Sequence, residues 1–219
     1  MSASDTPPEG LSVRTPDELL AMTFRASDIY LDDGIIAKGQ CGAIIGPAGV
    51  GKSRIVTQMA CSLILGTQFM GIQVGTHDKK CLFLQAENSN RRLKDQLSKQ
   101  IETYTAAQRK HINAHLSFTT QENDRDANLR MNTSANINKI ARVMNQIKPD
   151  VIFVDPLNAF AKGSLTSADG MLATLHGLCK LVAVGKKLCC FVKQLPAHCP
   201  FILYQQLHYD RNDVLIRGR

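Results

Sequence analysis

The chain has 219 residues, 44% hydrophobic and 21% charged, enough apolar material for one domain with a sizeable core. No apolar run approaches the ~20 residues a membrane span needs, and the first ten residues carry no apolar signal segment, so a cytoplasmic protein with no membrane partner is expected. Seven cysteines without a CxxC pair argue for reduced thiols and against a disulfide framework, and a net charge of +7, spread along the chain, only weakly favours a polyanionic partner.

Residues 1–28 read as a flexible or peripheral arm, and 29–219 as one domain. In the arm, Thr15-Pro16-Asp17-Glu18 has the form of a helix start, with Pro at the first helical position and acids in the first turn. Leu19, Leu20 and Met22 are then placed to dock that helix on the core. Asp32-Asp33-Gly34 and Lys38-Gly39-Gln40 are turn signals. Cys41-Gly42-Ala43-Ile44-Ile45 is a short apolar run of the buried-strand kind.

Directly after it stands Gly46-Pro47-Ala48-Gly49-Val50-Gly51-Lys52-Ser53, a glycine, four residues, then Gly-Lys-Ser. This is the spacing of a phosphate-binding loop. Successive backbone N–H groups must curl around a polyphosphate, and side chains there would block the approach. Lys52 is a cation long enough to reach β- and γ-phosphates. The Ser53 hydroxyl is a candidate Mg²⁺ ligand, and a helix starting there directs its positive end at the anion. That helix is expected, because Ile55, Val56, Met59, Ala60, Leu63 and Ile64 recur at helical spacing and Gly66 stands at the C-cap position. Gly46 to Ser53, with Arg54, therefore form the candidate ATP site.

Gly71 to Gly75 reads as a short strand or loop, and Cys81-Leu82-Phe83-Leu84 as a second apolar strand ending at Gln85-Ala86-Glu87. A helix follows from Asn88 or Ser89, with Leu93, Leu97, Ile101 and Tyr104 on one face. Arg91, Arg92, Lys94 and Lys99 lie off that stripe. The plain reading is a solvated basic face; the sharper one brings Arg91 or Arg92 to a phosphate or a neighbouring subunit. Thr105 to Gln108 fits a capping box for another helix, and His115 to Phe118 a third strand. The polar stretch Thr120 to Asn132 reads as a long loop, a length often functional inside a compact domain.

A helix from about Thr133 buries Ile137, Ile140, Ala141, Met144 and Ile147, and ends at Pro149. Val151-Ile152-Phe153-Val154-Asp155 is then a continuous apolar run closing on an acid, as expected for a parallel strand covered on both faces. Ligands bind at the carboxyl ends of such strands, so Asp155 is a candidate Mg²⁺ carboxylate; the competing reading is a turn aspartate before Pro156. Asn158 and Phe160 are assigned to a loop. Ser167 caps a further helix ending at Gly185. From about 186 the pattern is atypical: Leu188 to Val192 makes a strand ending at Lys193-Gln194, Phe201 to Tyr204 another ending at Gln205-Gln206, and the chain stops soon after at Arg219, which suggests a shortened or altered terminus. Cys189, Cys190, His198 and Cys199 cluster in sequence, but adjacent cysteines are poor zinc spacing.

Alternating strands and helices imply an α/β fold. Gly39-Gln40 and the loop ending in Lys52-Ser53-Arg54 resemble the entry to RecA-like P-loop ATPases, and Gly66 to Gly71 is similar to the turn after their first helix. Gln85-Ala86-Glu87-Asn88-Ser89 with Arg91-Arg92-Leu93, and Asp155-Pro156-Leu157, resemble motifs of the RepA-like AAA branch, the plasmid hexameric replicative helicases. The resemblance covers residues 30 to 185. It implies a mostly parallel sheet with helices on both faces, Mg²⁺ and ATP, ATP hydrolysis in a motor acting on single-stranded DNA, and a homo-oligomer, a hexamer in that branch. Residue by residue, Glu87 matches the catalytic glutamate that polarises the attacking water, and Asp155 the Walker B residue. The competing reading of Glu87 is a helix-start acid favoured by the dipole. Where the branch has paired histidines after the next strand, this chain has Gln194, or Gln206 with His208 nearby, and a glutamine there resembles the γ-phosphate sensor of other RecA-like helicases. Arg217, in a closing Ile-Arg-Gly, resembles a later Arg-Gly turn; Arg217, Arg211 and Arg219 are the candidates for an arginine donated to a neighbour. Two other functions compatible with these motifs are a switch or assembly ATPase without unwinding, and a nucleotide-binding fragment that has lost turnover.

Overall fold

The computed structural model describes residues 13–23, 25–31, 35–47, 49–86, 88–120, 134–161, 170, 174, 188–194, 202–210 and 213–216. Helix α1 (Pro16–Leu20) begins as its sequence demands. The Thr15 hydroxyl accepts from Glu18 N, and Glu18 in turn accepts from Thr15 N at 2.7 Å, closing a capping box. Its expected docking on the core does not occur. Leu19 and Leu20 are 54% and 83% exposed, and no residue of α1 is buried. Local capping suffices to set this short helix.

Strands β1 (Ile29–Leu31) and β2 (Ile36–Ala37) pair antiparallel; the expected turn at Asp32-Asp33-Gly34 lies outside the described residues. Strand β3 (Cys41–Gly46) leads into the glycine loop and helix α2 (Lys52–Leu65), which Gly66 ends in the left-handed conformation. Residues 69–74 make only isolated bridges, Phe69 with Ile72 and Leu31 with Val74. Strand β4 (Cys81–Gln85) is followed by α3 (Asn90–Ile101), α4 (Ala106–His115) and strand β5 (Leu116–Phe118). Ser89 caps α3, and Thr105 with Gln108 forms the expected box on α4. Helix α5 (Ser134–Ile147) precedes strand β6 (Val151–Asp155). Leu157–Phe160, assigned from sequence to a loop, forms a short helix, α6, because Leu157 and Phe160 are both fully buried and lie on one helical face. Strands β7 (Leu188–Gln194), β8 (Ile202–Asp210) and β9 (Asp213–Ile216) complete the chain. The loop expected at 120–132 lies outside the described residues after Thr120, as does the Ser167 helix apart from Gly170 and Thr174.

The sheet runs β5-β4-β6-β7-β3-β8-β9. The first five strands are mutually parallel; β8 is antiparallel to β3, and β9 to β8. Every residue of β4 and β6 is buried. Crossovers from β3 to β4 and from β4 to β5 proceed toward one edge, while that from β5 to β6 reverses. With right-handed crossovers this places α2, α3 and α4 on one face and α5 on the other, where its Ile140 and Met144 are buried. Ile137, expected on the same buried stripe, is 38% exposed near the start of α5. The fold is thus the α/β, mostly parallel sheet with helices on both faces that the alternation of elements implies.

Side chains alternate across the strands. Cys81, Phe83, Val151 and Phe153 meet Val56, Met59, Ala60 and Leu63 of α2 in one apolar cluster. Phe118, Phe83 and Phe153 are register neighbours on β5, β4 and β6 and stack with ring centroids 4.8 and 4.5 Å apart. Such pairs add about 0.5–1.5 kcal/mol each beyond the area they bury. Phe153→Ala should therefore cost about 3–5 kcal/mol, read as a lower denaturation midpoint at unchanged m-value. A loss below about 1 kcal/mol, the range of ordinary surface changes, would mean that the three-ring stack does not anchor this layer.

Candidate functional site

The carboxyl ends of β3, β4, β6 and β7 open on one side of the sheet. Gln85 pairs with Asp155, and Gly46 with Gln194. Asp155 has the same parity on β6 as Val151 and Phe153, and Gln85 the same parity on β4 as Cys81 and Phe83, so both belong to the α2 face. The first turn of α2 is therefore brought against the end of β6.

The loop between β3 and α2 needs glycine for its backbone. Gly49 and Gly51 have φ +78° and +89°. A Cβ at either would meet nothing within 4 Å, so the left-handed conformation, strained for other residues, imposes glycine here rather than crowding. Gly51 is also the N-cap of α2 and supplies no capping side chain, so the first-turn N–H groups of that helix gain no side-chain acceptor from the cap. This is the arrangement that favours an anion.

Lys52 is 8% exposed. Its Nζ donates to the Gly46 carbonyl at 3.0 Å and to the Pro47 carbonyl. The ammonium, costly to bury unpaired, is held against the end of β3 inside the loop. Ser53 is half-buried in the first turn, and its carbonyl accepts from Thr57 Oγ1 at 2.8 Å. Asp155 is also 8% exposed. Burial pushes its carboxyl above the usual range; a hydrogen bond from Ser53 and the charge of Lys52 pull the other way. The structure thus brings together Lys52, Ser53 and Asp155, joined by the Asp155–Pro156 peptide to α6. A hydroxyl and a carboxylate are the hard oxygen donors that suit Mg²⁺, and they lie at a helix start that suits a polyphosphate, so the residues present fit both.

Sequence reasoning placed Gln85 at a strand end and in a motif but gave it no role of its own, and it did not single out Thr119. Gln85 is 2% exposed. Its Nε2 donates to Asn88 O at 2.8 Å, and its Oε1 accepts from Asn88 N at 2.9 Å. Thr119 Oγ1 accepts from Gln85 N at 3.0 Å, while Thr119 N donates to Phe83 O at 2.8 Å. These bonds extend the ladder between β4 and β5 by one rung. No residue pattern announces them, since they depend on the parallel register. Farther back, Gln100 Nε2 donates to Arg54 O at 2.7 Å, tying the end of α3 to the first turn of α2. Arg91, Arg92, Lys94 and Lys99 all lie on the exposed side of α3.

The other predicted site residues fall as follows. Gln194 ends β7 at the level of Gly46, between the glycine-loop strand and the Asp155 strand. Gln206 lies elsewhere. Because β8 is antiparallel to β3, Leu207 sits opposite Cys41, at the amino end of β3, roughly 17 Å from Gly46 at ~3.4 Å per strand residue. The expected strand end at Gln205-Gln206 is replaced by continuation to Asp210. Ile216 of β9 is level with Leu207. Ala48, Glu87, Arg211, Arg217 and Arg219 lie outside the described residues. Among the described residues no group of three or more His, Cys, Asp or Glu side chains could hold a metal ion, and no helix is long and apolar enough to cross a membrane.

A family model described as an AAA domain matches residues 7–188. No curated protein matches the sequence. Among solved structures, the chain is similar to a KaiC-like protein from the hyperthermophilic archaeon Pyrococcus horikoshii OT3, at 15% identity and TM-score 0.46, over 78% of this chain and 69% of that one.

The raised pKa of Asp155 has a testable consequence. The folded state binds the proton more tightly than the unfolded one, so stability falls as pH rises from the ordinary carboxylate value through the folded value. Asp155→Asn removes that cost. In nucleotide-free protein at neutral pH it should raise Tm, by about 2–4 °C per kcal/mol recovered in a chain this long, while lowering Mg²⁺-dependent nucleotide turnover. A lower Tm together with unchanged turnover would contradict both halves of the expectation.

Proposed function

From the premise that the chain belongs to this AAA domain family, as a P-loop ATPase of RecA-like fold, we propose that it binds and hydrolyses ATP at Gly46 to Ser53 as a motor domain acting on DNA, of the RepA-like helicase type. The observation that carries the ATP site is the convergence of Lys52, Ser53 and Asp155 at the carboxyl end of a parallel sheet, in front of the first turn of α2. Backbone N–H groups of residues 49–53 are the donors to the β- and γ-phosphates. Lys52 turns its ammonium from the loop carbonyls to the phosphoryl oxygens, replacing one set of oxygen acceptors by a more strongly charged one. Ser53 and Asp155 hold Mg²⁺, which when bound neutralises charge on the phosphates. Glu87 orients a water in line with the γ-phosphorus and takes its proton as the new P–O bond forms and the bond to ADP breaks. Gln194 senses the γ-phosphate from the strand between. Arg54, exposed on the first turn of α2, borders the nucleotide.

The DNA partner is supported by the net charge of +7 and by the exposed basic side of α3, which suit a phosphate backbone. The motif resemblance supports a homo-oligomer, a hexamer, in which Arg217, or Arg211 or Arg219, of one subunit meets the ATP of the next and stabilises charge developing on the transferred phosphoryl group.

Lys52→Ala should abolish hydrolysis and leave the fold intact by circular dichroism. Glu87→Gln should keep Mg²⁺-dependent ATP binding and slow turnover by on the order of 10²-fold or more. Parental turnover in Lys52→Ala would remove the site assignment; parental turnover in Glu87→Gln would reduce Glu87 to a helix-start acid.

The motor reading is tested by ATPase rate with and without single-stranded DNA, beside mass in solution. Stimulation by DNA with ATP-dependent assembly is expected. Assembly without stimulation would favour the switch or assembly ATPase, and a monomer without turnover the nucleotide-binding fragment. Mixing Lys52→Ala subunits with a triple Arg211→Ala, Arg217→Ala, Arg219→Ala chain should restore part of the activity, since one border type then holds an intact loop and an intact arginine. No recovery despite co-assembly would exclude an arginine acting in trans.

A further inference from the structure

We propose that Gln85 is a positioning residue for hydrolysis, setting the turn that carries Glu87; this rests on the reading of Glu87 as the water-polarising base. Gln85 is the last residue of β4 and is 2% exposed, in register with Asp155. A buried strand end of this kind is served as well by leucine, and a buried amide is costly unless both its halves are bonded. Here both are. The Nε2 donor and the Oε1 acceptor close on the carbonyl and the N–H of a single residue, Asn88. The two bonds form a ring whose other side is the main chain through Ala86 and Glu87. The side-chain amide of Gln85 therefore does for this turn what a pair of strand bonds does for a hairpin, and fixes the distance from the end of β4 to Asn88.

The ring is itself anchored. Gln85 N donates to Thr119 Oγ1, and the Thr119 hydroxyl lies 3.3 Å from Phe83 O and 3.2 Å from Gln85 O. On the far side, Asn88 leads directly into Ser89, the N-cap of α3, whose hydroxyl accepts from Arg92 N. Residues 85–88 are thus bounded by the sheet at one end and by a capped helix at the other. A general base must sit within hydrogen-bond reach of the proton it takes, and misplacement by about 1 Å can cost on the order of 10²-fold in rate. Gln85 fixes Asn88, the residue that follows Glu87 in the chain, and through it constrains the base.

The test uses Gln85→Met, which keeps length and loses both bonds, and Thr119→Val, which removes the anchor from a less buried position and serves if Gln85→Met fails to fold. Each is made in the parent and in Glu87→Gln, with kcat measured beside the Kd of a fluorescent ATP analogue in Mg²⁺. The proposal predicts kcat lower by on the order of 10-fold to 10²-fold in the parent background, unchanged Kd, and no further loss in the Glu87→Gln background, because a residue acting only through Glu87 has nothing left to position. Parental kcat in the folded variants, losses that multiply with Glu87→Gln, or an effect on Kd in place of kcat would each overturn it while leaving the role of Glu87 standing. If Glu87→Gln itself turns over like the parent, the base reading falls and the proposal with it.

Discussion

Asp155 is an ionisable group buried at the end of β6, inside the parallel part of the sheet, and its burial raises its pKa against the pull of Ser53 and Lys52. A carboxylate placed so is unfavourable for folding by itself and is sustained by what surrounds it. The apolar run Val151 to Val154 carries it into the sheet, in register with β4 on one side and β7 on the other. The positive-φ glycines bring α2 back over the sheet so that its first turn meets that carboxyl. Lys52, buried as well, is folded onto the carbonyls of Gly46 and Pro47. Two charged groups withdrawn from water beside a helix start form a site whose electrostatics are completed by a polyanion and a cation together, which is the physical basis of the ATP reading.

The glycine loop and the strand closing on Asp155 were legible because each encodes its geometry locally. Spacing of Gly49 and Gly51 dictates backbone conformation, and an unbroken apolar run dictates burial on both faces. The helix caps at Thr15, Ser89 and Thr105 were legible for the same reason. What sequence could not supply was direction. The pattern of Phe201 to Gln206 is equally that of a parallel or an antiparallel strand, and only the pairing with β3 places Gln206 at the wrong end and leaves Gln194 at the level of Gly46. Nor does an amphipathic pattern say whether a partner is near. Leu19 and Met22 have the spacing of a docking face and remain exposed.

The bonds around Gln85 belong to the same class of long-range information. Thr119 is 34 residues away in sequence, and it reaches Gln85 only because β5 pairs with β4 in parallel. Likewise Gln100 reaches Arg54 from the far end of α3. Helix α3 is therefore fastened ahead of its start, through Asn88, to the end of β4, and near its end to the first turn of α2. The end of α3 thus meets the first turn of the phosphate-loop helix through a hydrogen bond, and the basic residues of α3 lie on the exposed side of the helix so held.

The central claim is that Lys52, Ser53 and Asp155 are one nucleotide site. A crystal structure with Mg²⁺ and a non-hydrolysable ATP analogue tests it most directly. The account predicts the β- and γ-phosphates within the loop of residues 46–53, Lys52 Nζ on a phosphate oxygen in place of the Gly46 and Pro47 carbonyls, and the metal ion beside Ser53 and Asp155. A polyphosphate seated away from the start of α2, or a bound analogue with Lys52 still folded onto those carbonyls, would contradict it.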